Sequence, residues 1–120
     1  MKILVIEDNY YTRNIITRWF TRRGHQVVSS IDGDRCVELA RSEEPDIIIL
    51  DMRLPLISGL EIAQLLKAES DTHDIPVIAI TAYRLEETRE AALAAGCDEY
   101  ESKPLDFEKL LEKINSLLAQ

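Results

Sequence analysis

The sequence predicts a doubly wound α/β domain, a five-stranded parallel sheet with helices on both faces. Strand and helix signals alternate five times along the 120 residues, the pattern of a (βα)5 chain. Three of the strands contain unbroken aliphatic runs, Ile3-Leu4-Val5-Ile6, Ile47-Ile48-Ile49-Leu50 and Val77-Ile78-Ala79-Ile80. Strands buried on both faces of a parallel sheet read this way. The length suits one domain with a real core, spanning residues 1–120, and no Pro/Gly/Ser-rich linker or repeat interrupts it.

The first strand, residues 2–6, ends in the acids Glu7-Asp8. The first helix is expected over 11–23, capped by Asn9, stopped by Gly24, and burying Ile15, Ile16, Trp19 and Phe20. A second strand follows at 26–30, then a helix over 34–42 with Val37 and Ala40 inward and Pro45 beyond it. The third strand, 46–50, ends in Asp51, and Met52-Arg53-Leu54-Pro55 cannot continue it as a central strand. Ser58-Gly59-Leu60-Glu61 reads as a capping box opening the third helix, whose apolar face is Ile62, Leu65 and Leu66. The fourth strand, 77–80, ends in Thr81. The fourth helix, 85–95, is rich in alanine and charge and ends at Gly96. A short fifth strand, 99–101, runs into Ser102-Lys103-Pro104. The fifth helix starts at Asp106 with a stripe of Phe107, Leu110, Leu111, Ile114, Leu117 and Leu118, read as a core-packed face rather than a dimer seam.

Bulk properties exclude several function classes. No apolar run approaches the ~20 residues that span a bilayer. The N-terminus turns acidic at once and does not read as a signal peptide. A net charge of −8 argues against non-specific binding to nucleic acid or anionic membrane. Cys36 and Cys97 lie far apart with no CxxC, as reduced, partly buried thiols of a cytoplasmic protein do. His25 and His73 lack metal-ligand spacing and read as surface residues.

Right-handed crossovers place the first and third strands side by side at a switch point, where open α/β sheets bind ligands beyond the carboxyl ends of their strands. Glu7, Asp8 and Asp51 should meet there. At ~4 Å and an effective dielectric of ~20, each close carboxylate pair costs on the order of 4 kcal/mol, so protons or a cation must offset the repulsion. All-oxygen ligands at a wet strand edge suit Mg2+. Thr81 adds a hydroxyl at the same rim. Lys103, held extended before Pro104, can aim an ammonium at it. Metal and lysine to neutralise oxygens, a hydroxyl donor and a carboxylate nucleophile form a phosphoryl-transfer set.

At these residues the chain resembles the receiver domain of two-component response regulators. The matching residues are Glu7-Asp8-Asn9, Asp51 with Pro55 and Gly59 at the family's offsets, Thr81-Ala82, Tyr100 and Lys103-Pro104, over nearly the whole chain. The pattern is most similar to single-domain, cell-division-regulator-like receivers. The resemblance implies a flavodoxin-like (βα)5 fold with strand order 2-1-3-4-5. It implies that Asp51 accepts a phosphoryl group from a phosphohistidine of a histidine kinase or phosphotransfer protein. It implies Mg2+ held by Asp8, Asp51 and the backbone carbonyl of Arg53, with Glu7 acting through water. Thr81, Ala82 and Lys103 would bind the phosphoryl group, Lys103 pairing first with Asp51. Thr81 and Tyr100 would form the switch, and the bond before Pro104 would be cis. The family docks its kinase largely on the first helix, so Arg13, Arg18, Arg22 and Arg23 are expected to meet an acidic partner.

The thin apolar face of the fourth helix implies weak docking, which suits an element biased by a local charge change. The expected output is contact with a downstream protein, since the chain ends about where the fifth helix ends; alternatively it is part of a larger hybrid. The domain would not be an enzyme beyond catalysing its own phosphorylation and dephosphorylation. Two positions depart from the common pattern. Arg53 and Tyr83, each two residues after a site residue, should flank the mouth of the site and tune phosphoryl lifetime without abolishing phosphorylation. Two other functions fit less well. An aspartate-nucleophile phosphatase needs a second acid where Arg53 stands. An FMN-binding flavodoxin-like module needs a phosphate loop where Glu7-Asp8-Asn9-Tyr10 would repel phosphate.

Overall fold

The computed structural model of the chain describes residues 1–54, 57–82 and 86–120. Its strands are β1 (Lys2–Ile6), β2 (Gln26–Ser30), β3 (Ile47–Asp51), β4 (Val77–Thr81) and β5 (Glu99–Ser102). They pair in parallel in the order β2-β1-β3-β4-β5, the order expected from the sequence. The helices are α1 (Tyr10–Thr21), α2 (Cys36–Glu43), α3 (Gly59–Ala68), α4 (Glu86–Ala94) and α5 (Phe107–Leu118), with a 3₁₀ turn at Gly33–Arg35 before α2. Among the described residues, no helix is long and apolar enough to cross a membrane.

Side chains alternate across the pleat, so each aliphatic run feeds two cores. Leu4, Ile6, Ile48, Leu50, Val77 and Ala79 pack on one face with Cys36 and Ala40 of α2, Ile62, Ala63 and Leu66 of α3, and Ala92 of α4. Ile3, Val5, Ile47, Ile49, Ile78 and Ile80 pack on the other with Ile16 and Phe20 of α1 and Leu110 and Ile114 of α5. Continuous aliphatic strands are therefore what this sheet requires.

Caps mark the helix starts. Asn9 Oδ1 accepts from the Thr12 N–H at 3.0 Å, Ser58 Oγ from the Glu61 N–H at 3.2 Å, and Asp106 Oδ1 from the Lys109 N–H at 3.2 Å. Gly24 follows α1 at φ +84°, a left-handed conformation open to glycine.

Four burial expectations need correction. Ile15 is exposed, because the buried stripe of α1 runs through Ile16 and Phe20, four apart, and Ile15 is turned about 100° from it. Leu65 is likewise exposed; Ala63, not Leu65, sits beside Ile62 and Leu66 against the sheet. Leu118 is exposed at the last turn of α5. Cys36 and Cys97 are fully rather than partly buried, and burial pushes both thiols up to about 12, leaving inert packing residues.

Candidate functional site

The parallel register sets Ile6 beside Leu50, Asp51 beside Ile80, and Thr81 beside Ser102. The residues that end or follow these strands therefore share one rim. Glu7, Asp8 and Asp51 each bring a carboxylate oxygen within 4.8 Å of the others. Glu7 is completely buried and Asp51 nearly so, whereas Asp8 is exposed. An open cleft of about 720 Å³ joins these three to Asn9, Tyr10, Tyr11, Arg53, Leu54, Ala82 and Lys103.

The two buried carboxylates are held by hydrogen bonds. The Arg53 N–H donates to Asp51 Oδ1 at 3.0 Å, fixing the acid at the turn out of β3. Lys103 Nζ donates to Glu7 Oε1 at 2.6 Å and lies 3.5 Å from Asp51 Oδ2. The Asn9 N–H donates to Glu7 Oε2 at 3.2 Å. Arg13 Nη1 donates to the backbone carbonyls of Glu7 at 3.0 Å and Asp8 at 3.4 Å, tying the acidic loop to α1. The Lys103 N–H donates to the Thr81 carbonyl at 2.7 Å, so the lysine leaves the sheet from a fixed point, and the bond between Lys103 and Pro104 is cis.

Burial raises the Glu7 carboxyl above its ordinary range, and its hydrogen bond with Asp51 adds to this; the bond from Lys103 opposes it. Two adjoining carboxyls beside one ammonium leave the rim short of positive charge. The all-oxygen donor set, with one exposed and two buried acids, fits a hard divalent cation such as Mg2+, which takes few carboxylates and keeps waters.

The cleft thus gathers Glu7, Asp8, Asp51, Arg53, Ala82 and Lys103 from the expected set. Thr81 ends β4 fully buried and is not among the residues lining the cleft. Tyr100 is half-buried against the core beneath α2, α3 and α4. Pro104 borders a smaller neighbouring cavity with Thr12, Ile15, Leu105, Phe107 and Lys103, which lines both. Pro55 and Tyr83 lie outside the described residues. Gly59 abuts the site from behind: a Cβ there would stand 2.5 Å from the Asp51 carbonyl oxygen and 2.6 Å from Met52 Cα. Of the basic residues on α1 and just past its end, Arg13 is turned to the acidic loop and Arg23 covers the Trp19 ring at 3.6 Å, while Arg18 and Arg22 flank Ile15 and Trp19 on the surface.

The sequence reading missed three features: the preference of Lys103 for Glu7, the Arg13 tether, and the Tyr10–Tyr11 pair at the cleft mouth. The last had a visible signal, two adjacent aromatics one residue after a strand-end acid pair.

A five-stranded 2-1-3-4-5 sheet with an acid triad and a lysine at its switch point defines a phosphoacceptor signalling module of the two-component type. The chain belongs to the response regulator receiver domain family, whose model matches residues 3–115. It is 33% identical over 116 residues to the polar-differentiation response regulator DivK of Brucella anthropi, covering 97% of this chain and 94% of that protein. The receiver domain of the sensor histidine kinase PA1611 from Pseudomonas aeruginosa, a crystal structure with magnesium coordinated in its active-site cleft, superposes with a TM-score of 0.91. It is 29% identical and covers 99% of this chain and 98% of that one. The BeF3-activated N-terminal receiver domain of Klebsiella pneumoniae RstA superposes with a TM-score of 0.91 at 25% identity, with full coverage of both chains.

Proposed function

We propose that Asp51 accepts a phosphoryl group from a phosphohistidine of a histidine kinase or phosphotransfer protein, and that this domain catalyses the transfer and its later hydrolysis. The observation that carries this is the Asp51 carboxylate itself: nearly buried, fixed by the Arg53 N–H, beside two further acids and the Lys103 ammonium in one open cleft. Asp8, Asp51 and the Arg53 backbone carbonyl would hold Mg2+, with Glu7 acting through water. When bound, the ion supplies positive charge against the phosphoryl oxygens.

The chain's own residues do the rest. An Asp51 oxygen attacks phosphorus, an O–P bond forms, the N–P bond breaks, and its electron pair returns to the imidazole. Lys103 swings from Glu7 to the phosphoryl oxygens, as its position between two carboxylates allows. The Thr81 hydroxyl and the Ala82 backbone bind the same group. Thr81 moves toward it, and Tyr100 fills the space that Thr81 leaves.

The α4 helix lies between those two switch residues in sequence and offers only Ala92 as a buried residue among those described, with buried Ala95 just past its end. Its docking is weak, and the new charge shifts it. The domain acts in the cytoplasm, its kinase meets the basic α1 surface, and a downstream protein reads the changed face.

The test is incubation with acetyl phosphate and Mg2+ followed by intact-mass measurement. Wild type should gain one phosphoryl group and Asp51→Asn none. No gain in wild type overturns the reading.

A further inference from the structure

Tyr10 and Tyr11 open α1 with 62% and 75% of their surfaces exposed, and neither joins the two cores. Single exposed aromatics are ordinary, but these two rings pack against each other. The rings meet edge to face with centroids 5.5 Å apart and planes at 82°. The Arg13 guanidinium stands 5.9 Å from the Tyr10 ring centre while it holds the carbonyls of Glu7 and Asp8. Both rings line the same cleft as Asp51 and Lys103. Two aromatic rings thus stand together beside the acidic loop at the mouth of the cleft, the Tyr10 ring facing the Arg13 guanidinium.

We infer that Tyr10 and Tyr11 form a platform for the imidazole ring of the phosphodonor, so that the site selects phosphoimidazole donors over acyl phosphates. The inference rests on the reading of Asp51 as phosphoacceptor. A flat ring stacks on or edges against tyrosine. A phosphoimidazole protonated on its free nitrogen carries positive charge, which the tyrosine face attracts and the acidic rim favours. That proton also balances the transfer: the N–P bond breaks, its electron pair stays on the ring nitrogen, and the ring leaves as neutral imidazole. An acyl phosphate has no ring to place and brings only negative charge to an acidic mouth.

The experiment compares second-order rate constants for phosphorylation by N-phosphoimidazole and by acetyl phosphate, in Mg2+, read by intact mass. The quantity of interest is the ratio of the two. In the double variant Tyr10→Ala/Tyr11→Ala the ratio should fall about three- to tenfold. In Tyr10→Phe/Tyr11→Phe it should stay near the wild-type value, because the ring, not the hydroxyl, does the recognition. An unchanged ratio in the alanine variant overturns the proposal, as does an equal fall in the phenylalanine variant. Wild type that labels with acetyl phosphate but shows these contrary ratios leaves the Asp51 reading intact. Wild type that labels with neither donor overturns both.

Discussion

Lys103 Nζ lies 2.6 Å from Glu7 Oε1 but 3.5 Å from Asp51 Oδ2, so the lysine makes its closest contact with Glu7 rather than with the proposed phosphoacceptor. Both acids are buried, Glu7 completely and Asp51 nearly so, and each also accepts one backbone N–H, Glu7 from Asn9 and Asp51 from Arg53. An ammonium parked on Glu7 keeps the cleft's charges together while leaving it one short movement from a group on Asp51.

This pairing predicts a measurable coupling. Lys103→Met keeps the aliphatic stem but leaves the Glu7 carboxyl without its cation. The expected loss of stability is about 1–3 kcal/mol, less than for a fully enclosed pair, because the cleft is open to water. In a Glu7→Gln background the same lysine change should cost clearly less. Urea unfolding of the four proteins in EDTA gives the cycle. Equal losses in both backgrounds would mean that the contact carries no coupling energy.

The pH dependence follows from Glu7 as well. Burial first, then the hydrogen bond and charge of Asp51, raise its carboxyl above the ordinary 4.5. The folded state therefore binds this proton more tightly than the unfolded chain does. The stability linked to it is complete below about pH 4.5 and is lost as pH rises through the folded value. Glu7→Gln stays neutral throughout. Its stability relative to wild type should therefore improve as pH rises from about 4.5 toward 8 in EDTA. A difference that shrinks over that range would give the shift the opposite sign.

The fold was legible because aliphatic runs, caps and strand-end acids all pointed the same way. Ile47 to Leu50 can hardly be anything but a doubly covered strand, and Asp51 after it had to sit at the rim. Periodicity could not tell Ile15 from Ile16, or Leu65 from Leu66, since adjacent helix positions differ by about 100° and only packing decides which faces the sheet. The choice of Lys103 between two acids was equally hidden. It depends on how the folded rim places the two carboxylates around the ammonium, not on the local sequence.

Gly59 gives a prediction whose sign separates propensity from packing. Alanine inside a helix normally gains roughly 0.5–1 kcal/mol over glycine. Here the added Cβ would meet the Asp51 carbonyl oxygen at 2.5 Å and Met52 Cα at 2.6 Å, both backbone atoms that cannot swing away. Gly59→Ala should therefore lose about 1–3 kcal/mol. It should also slow phosphorylation, because the displaced backbone carries Asp51. Thermal unfolding and acetyl phosphate labelling test the two halves, and a stabilised variant with normal labelling would contradict both.

Arg53 bears on how long the phosphoryl group lasts. Its backbone is fixed by the N–H that donates to Asp51 Oδ1, and the residue is exposed where it lines the cleft. A long, weakly hydrated guanidinium lining the cleft is expected to hinder water on its way to an acyl phosphate on Asp51. Arg53→Asn opens that approach and keeps the backbone donor. Hydrolysis should speed up by about three- to tenfold, which corresponds to roughly 1 kcal/mol of barrier. Phosphorylation should persist, since the nucleophile and Lys103 are untouched. The check is the decay of the phosphorylated protein after donor removal, followed by intact mass. An unchanged decay rate would show that the side chain takes no part in excluding water, and loss of labelling would place it in the transfer step instead.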